Sequence, residues 1–353
     1  MAQNNRPVGG GDQRPVLALA MGDPAGISSE LAARLLSLAD IREIAHFVVV
    51  GDRRILEDGA KIAGVELDIE YRGEDSFSTE PAERPVFVDL GHLDPADVVV
   101  GEATLAGGTF ATRNFRLALE LADAGRVDGV CFTPFNKKAM RYAYPGYDDE
   151  IRFVSDVLSF KGKMREFNVL ERIWNARVTS HIPLSAVSSH ISEEAILAEI
   201  DLTSACLRLA GIDKPRIAVA GLNPHAGDGG SFGREEIDVI EPAVARARAQ
   251  GYAVDGPFPA DTVFLRALKE GFHAVLTMYH DQGQIAMKMM GFDKGVTMMG
   301  GLPFPLCTPA HGTAYDIARQ GVADIGATRE AILLAARMAV RQARQREADR
   351  KTA

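Results

Sequence analysis

The sequence of 353 residues predicts an α/β fold with covered, largely parallel sheet. Two observations carry this. Short, continuously apolar runs have the length of strands and lack polar alternation, the pattern of strands buried on both faces. Longer stretches between them repeat their apolar residues at helical spacing. Length adds a third constraint, since 353 residues suit two domains better than one. No low-complexity linker follows residue 15, so the two α/β/α domains are expected to pack closely. The expected division is 16–140 plus about 300–345 for the first domain and about 141–299 for the second.

Taken in order, VLALAMG (16–22) reads as a buried strand, ISSELAARLL (27–36) as a helix and HFVVVG (46–51) as a strand. ATRNFRLALELADAG (111–125) is a helix closed by Gly125, and VDGVCF (127–132) a strand. EEAILAEIDLTSACLRLAG (193–211) is a long helix capped by Ser192, with Glu193 and Glu194 suited to the positive end of its dipole. RIAVAG (216–221) is a strand, REEIDVIEPAVARARAQG (234–251) a helix, and FHAVLTMYH (272–280) a strand. The stretch 328–351 is helical. Residues 1–15 read as a disordered leader rather than a secretory signal, because no basic segment precedes an apolar one.

Composition narrows the function classes. Hydrophobic content of 46% and charged content of 25% are ordinary for a globular chain. A net charge of −9 argues against nucleic acid or an anionic membrane as partner, since both need concentrated Lys and Arg. No apolar run approaches the roughly 18 residues of a spanning helix. Cys131, Cys206 and Cys307 are widely spaced and odd in number, so neither a disulfide framework nor a zinc knuckle is expected, and a reducing cytoplasm suits the chain.

In open α/β sheets, ligands bind beyond the carboxyl ends of strands. Five polar segments follow strands here: GDPAGISSE (22–30), TPFNKK (133–138), SHIPL with His181, LNPHAGDGGSFGREE with His225, and HDQG with His280. Three of the eight histidines thus stand at strand ends, where a fold can bring them together. Neutral imidazoles suit Zn²⁺, Mn²⁺ or Co²⁺, and a catalytic zinc takes three protein ligands with one open position. Each of them could equally be a hydrogen-bonding loop residue. His46, His92 and His273 lie in or beside apolar strands and look structural, and His190 sits near a helix start. The glycines of the His225 segment, Gly227 among them, allow close backbone approach to a ligand, or a surface turn. Asp261, in GPFPADTVF, is either a helix cap or a free carboxylate.

Together these segments resemble the 4-hydroxythreonine-4-phosphate dehydrogenase family. The match runs in order over about residues 16–340, carried by GDPAGI, PFNK, TSHIPL, GLNPHAGDGGSFGREEID, GPFPADT, YHDQG, GLPF and HGTAYDIA. The resemblance implies a fold like isocitrate and isopropylmalate dehydrogenases, two domains with a central cleft, and a homodimer with the active site near the interface. It implies a divalent metal (Zn, Mg, Mn or Co) held by His181, His225 and His280. It makes Lys288 and Asp261 catalytic candidates. Beside such a metal, Asp261 and Asp281 are expected to complete its shell or to orient a histidine. It places NAD, or NADP, at His311, Gly312 and Thr313. Asn223 and Gly227 are further cofactor candidates, and Asn136 and Lys137 further substrate candidates.

Four substrate positions depart from the family. Tyr147 and Asp148 stand where it has His-Thr, Thr297 where it has asparagine, and Leu306 where it has arginine. Arginine clamps a phosphate with a charged fork and leucine cannot. The implied reaction is NAD- and metal-dependent oxidation of a 3-hydroxy acid, with decarboxylation of the resulting β-keto acid. The implied substrate is a four-carbon sugar acid or its 4-phosphate, of the 4-phospho-D-threonate or erythronate type. A cis-dihydrodiol carboxylate, of the terephthalate dihydrodiol type, is the alternative substrate. A non-redox metal-dependent lyase or transferase on the same scaffold is the alternative reaction.

Overall fold

A computed structural model describes residues 14–291 and 294–352. The expected leader falls outside them up to residue 13. By contact the described residues form two compact units, one of 14–164 and 296–352, the other of 165–291 with 294–295. Residues 141–164, assigned above to the second domain, pack with the first.

The first unit contains β1 (Val16–Ala20), α1 (Ser28–Ser37), α2 (Ala39–Ile44), β2 (His46–Gly51), α3 (Arg53–Ala63), β3 (Glu70–Gly73) and β4 (Val86–Asp89). It continues with α4 (Leu105–Asp123), β5 (Gly129–Phe132), α5 (Lys137–Ala143) and α6 (Glu150–Leu158). The second unit holds β6 (Arg165–Val169), β7 (Trp174–Arg177), α7 (Glu193–Leu209), β8 (Arg216–Ala220), α8 (Glu241–Ala249), β9 (Ala253–Phe258), α9 (Val263–Glu270), β10 (Ala274–Thr277) and α10 (His280–Met289). The chain then returns to the first unit for β11 (Val296–Gly300), β12 (Leu306–Pro309) and α11 (Gly326–Thr352).

In the first unit the strand order is β3-β4-β2-β1-β5-β12-β11. All neighbours are parallel except β11 and β12. Alternate residues serve opposite faces, as strand period requires. Val16, Ala18, Ala20 and Phe132 pack with Phe115 and Ala118 of α4. On the other face the Cys131 thiol points to the Ala331 carbonyl of α11. Both faces are covered, which is why β1 reads as an unbroken apolar run. In the second unit the order is β6-β7-β10-β8-β9, parallel except for β6 against β7. Ala218, Ala220 and Val275 bury one face under Val263, Phe264 and Ala267 of α9 and Met287 of α10.

Three expected elements are corrected. Helix α4 starts at Leu105 rather than 111, capped by the Thr104 hydroxyl, which accepts from Gly107 N at 3.0 Å. The poor helix formers Gly107 and Gly108 in its first turn conceal that start. The helix expected from 234 opens with a π-helical turn over Glu236–Ile240 and becomes regular only at Glu241. Pro242 there has no N–H to give the preceding turn. The strand expected to reach His280 ends at Thr277, and His280 instead begins α10.

Candidate active site

The three strand-end histidines all belong to the second unit. After β7 the chain continues beside the extension of β10, with Val178 N donating to Thr277 O (2.9 Å) and Thr179 N to Met278 O (3.1 Å). This pairing carries two ends forward together and brings His181 to His280, their ring centroids 5.7 Å apart. Two imidazoles bound to one tetrahedral ion through Zn–N bonds of about 2.1 Å have centroids about 5 Å apart. The pair therefore suits two ligands of one ion. His280 Nδ1 donates to Asp281 Oδ1 at 2.7 Å. That bond fixes the tautomer that leaves Nε2 as acceptor, the usual support of a metal-binding histidine. Among the described residues no group of three or more His, Cys, Asp or Glu side chains is arranged to hold a metal. The structure thus brings together two of the three expected ligands.

His225 lies in an unusual turn. His225, Ala226, Gly227, Asp228 and Gly229 take φ of 52, 52, 82, 44 and 64° in succession. Left-handed backbone costs a non-glycine residue about 1–2 kcal/mol, and His225, Ala226 and Asp228 all bear it. His181 also has φ of 52°. Such strain persists only where surroundings impose it, and it gathers at functional sites.

Other expected site residues of this unit are placed as follows. Asn223 and Gly227 shape the loop. The Asn223 amide donates to Glu235 Oε2 (2.7 Å) and Glu236 Oε2 (2.9 Å), and Gly227 is buried. Asp261 is exposed, and Thr262 holds the cap position of α9, so the capping alternative falls away. Lys288 is exposed in the last turn of α10, eight residues from His280, a rise of about 12 Å. His46 and His273 are structural, as expected. His46 Nδ1 meets Ala82 O at 2.8 Å, and His273 Nδ1 accepts from Arg216 N at 2.9 Å.

In the first unit, polar strand ends also meet. Ile27 N of GDPAGI donates to Thr313 O of HGTA (3.0 Å). The two backbones touch at Gly26, where a Cβ would lie 2.3 Å from Thr313 O. Gly22 N donates to the Thr133 hydroxyl (2.8 Å) and Asp23 N to Pro134 O (2.9 Å). The Tyr315 hydroxyl donates to Asp23 Oδ2 at 2.5 Å. Asp23 and Tyr315 were not singled out by the sequence, although each lies within a motif marked there, GDPAGI and HGTAYDIA. His311 Nε2 is buried without a partner, an orphan acceptor or donor that suits contact with a bound cofactor. Gly312 is exposed and Thr313 buried beside it.

Of the remaining substrate candidates, Tyr147 and Leu306 are 1% and 0% exposed and pack in the core of the first unit. Tyr147 packs near Phe153, and burial pushes its hydroxyl pKa up. Asn136 caps α5, accepting from Lys138 N and Ala139 N. Lys137 lies 3.7 Å from Glu150, and Asp148 accepts from Arg152 at 2.6 Å. Thr297, on β11, is half-buried.

Burial pushes the Asp23 carboxyl above the ordinary Asp range, against the Tyr315 hydroxyl and the Ala25 N–H, which hold it down. A folded pKa above the unfolded one means that folding takes up a proton between the two values. Stability then falls as pH rises from the ordinary Asp value through the raised one. Asp23→Asn removes this titration. The variant is expected to gain on the parent as pH rises from about 4, read as the urea midpoint of each protein. A constant difference between the two midpoints at every pH would contradict the assignment.

Comparison with known proteins identifies the family. The family described as "Pyridoxal phosphate biosynthetic protein PdxA" matches residues 43–335. A relative from Rhizobium meliloti (strain 1021), named "Putative 4-hydroxythreonine-4-phosphate dehydrogenase 2", is 77% identical over 93% of this chain and 94% of its own. One from Oceanobacillus iheyensis, named "Putative D-threonate 4-phosphate dehydrogenase", is 35% identical over 91% and 96%. The crystal structure of 4-hydroxythreonine-4-phosphate dehydrogenase from Klebsiella pneumoniae has a TM-score of 0.77 at 35% identity, covering 94% of this chain and 99% of that one. Fold and relatives define an α/β oxidoreductase, a dehydrogenase acting on a CH–OH group. The chain belongs to the PdxA family.

Proposed function

We propose that this dehydrogenase oxidises the secondary alcohol of a phosphorylated four-carbon hydroxy acid, using a nicotinamide cofactor and a divalent metal. The observation that carries the reading is the His181–His280 pair at 5.7 Å, with Asp281 behind His280. The names borne by relatives, 4-hydroxythreonine-4-phosphate and D-threonate 4-phosphate dehydrogenase, support the substrate class.

His181 and His280 would hold the metal, with His225 as the third ligand. A bound divalent ion supplies Lewis acidity, and the nicotinamide accepts the hydride. Asp281 keeps the His280 ring turned with Nε2 outward. Lys288 Nζ gives or takes the proton of the reacting hydroxyl, with the exposed Asp261 as the second acid–base group. In the first unit, His311 Nε2, Gly312 and Thr313 bind the nicotinamide cofactor, and the Asp23–Tyr315 bond holds that loop to GDPAGI. The active enzyme is a homodimer of the cytoplasm. Among the described residues no helix is long and apolar enough to cross a membrane.

A second reading has one observation in its favour. Leu306 and Tyr147 offer no charge to a phosphate, and a terephthalate 1,2-cis-dihydrodiol dehydrogenase from Burkholderia xenovorans LB400 shares the fold at TM-score 0.62 and 27% identity. A panel of 4-phospho-D-threonate, 4-phospho-D-erythronate, 4-phosphohydroxythreonine, the unphosphorylated acids and a carboxylated dihydrodiol, each with NAD⁺ and NADP⁺, separates them. Turnover of a 4-phosphate at least tenfold above its unphosphorylated form is expected. Turnover of the dihydrodiol alone would replace the proposal with the second reading.

A further inference from the structure

A buried carboxylate and a half-buried amide of the second unit have no part in the chemistry above, yet both hold chain that bears a histidine. We propose that Glu236 and Gln282 are positioning residues for the metal-binding histidines. Together they fix the His225 turn relative to the start of α10. The inference rests on the metal reading just given.

The His225 turn needs something to impose its left-handed course, and Glu236 is placed to do so. It is 1% exposed. Its Oε1 accepts from Leu222 N (2.7 Å) and Asn223 N (2.8 Å), and its Oε2 from the Asn223 amide (2.9 Å). Gly227, in the middle of the turn, rests on the same carboxylate, where a Cβ would lie 2.7 Å from Oε2. One carboxylate therefore grips the turn before and after His225. Glu236 itself opens the π-helical turn over Glu236–Ile240, a local irregularity of the kind found at functional sites.

Gln282 makes the second connection. Its Nε2 donates to Gly221 O (2.9 Å) and its Oε1 accepts from Met278 N (2.8 Å). Gly221 stands four residues before His225, and Met278 two before His280. A single amide thus ties the end of β8 to the end of β10, just where each chain departs toward its histidine. Both partners are backbone groups, so the link sets the separation of the two chains whatever side chains follow.

The test uses full-length protein stripped of metal and titrated with Co²⁺. Glu236→Gln keeps the shape but turns an amide N–H toward the Asn223 amide. Gln282→Leu keeps bulk and removes both bonds. Each is expected to weaken Co²⁺ binding by about 10–100-fold and to alter the visible absorption of bound Co²⁺. Cooperative thermal unfolding of the metal-free protein is retained. Folded variants with the parent's Co²⁺ affinity and spectrum would overturn the inference. Loss of folding in both variants would also overturn it, because the two side chains would then be merely structural. A parent that binds no Co²⁺ sinks the metal reading itself, whereas binding by parent and variants alike sinks only this inference.

Discussion

Replacing His280 with alanine is expected to lower turnover by at least about a thousandfold, the rate equivalent of the several kcal/mol that a metal ion supplies to a transition state. The fold should survive. His280 is the first residue of α10, where alanine is a good helix former, and its side chain is 39% exposed. Its ring bonds the neighbouring Asp281 rather than the core. A specific loss is therefore separable from unfolding by circular dichroism and the thermal midpoint. Asp281→Asn should act in the same direction but less strongly, since it alters the orientation of the ring and leaves the ligand. Near-parent NAD⁺ reduction by metal-stripped His280→Ala protein would remove the histidine site from the account.

The largest expected effect on stability lies in the first unit. Phe115, on α4, is fully buried, with ring centroids 4.8 Å from Phe132, 5.0 Å from Phe135 and 5.5 Å from Phe153. Its ring joins a strand, the loop after that strand and helix α6. Phe115→Ala leaves a cavity that three aromatic neighbours on different elements cannot collapse to fill. The expected loss is about 3–5 kcal/mol, a large part of the 5–15 kcal/mol that is typical of whole proteins. Urea unfolding of parent and variant measures it. A loss below about 1 kcal/mol would mean that the cluster rearranges to fill the space.

How much of this was legible beforehand follows from the range of the interactions. Strands β1 and β2 are apolar on both faces because helices cover both, so local composition was enough. Helix α10 was missed because it opens His-Asp-Gln-Gly, a weak helix start by propensity. Its helicity comes from packing, with Met287 buried against Val275. The strand-end histidines stood out because a polar residue after an apolar run is a local signal. Asp23 and Tyr315 did not, since they are 292 residues apart and only the fold joins them. Glu236 and Gln282 were hidden likewise, because Leu222 N and Gly221 O, which they bind, are backbone atoms distant in the sequence. Tyr147 and Leu306 illustrate the converse. Correspondence with family motifs makes them substrate candidates, and the fold buries both among apolar neighbours.

The central claim is metal- and nicotinamide-dependent oxidation of a hydroxy acid at the His181–His280 pair. It is tested most directly by following NADH absorbance with 4-phospho-D-threonate. The protein is first stripped with chelator and then given Zn²⁺, Mn²⁺, Co²⁺ or Mg²⁺. The account predicts no NADH from stripped protein and restored formation with at least one ion. Formation that is indifferent to chelation, or absent with every ion and every hydroxy acid of the panel, would contradict it.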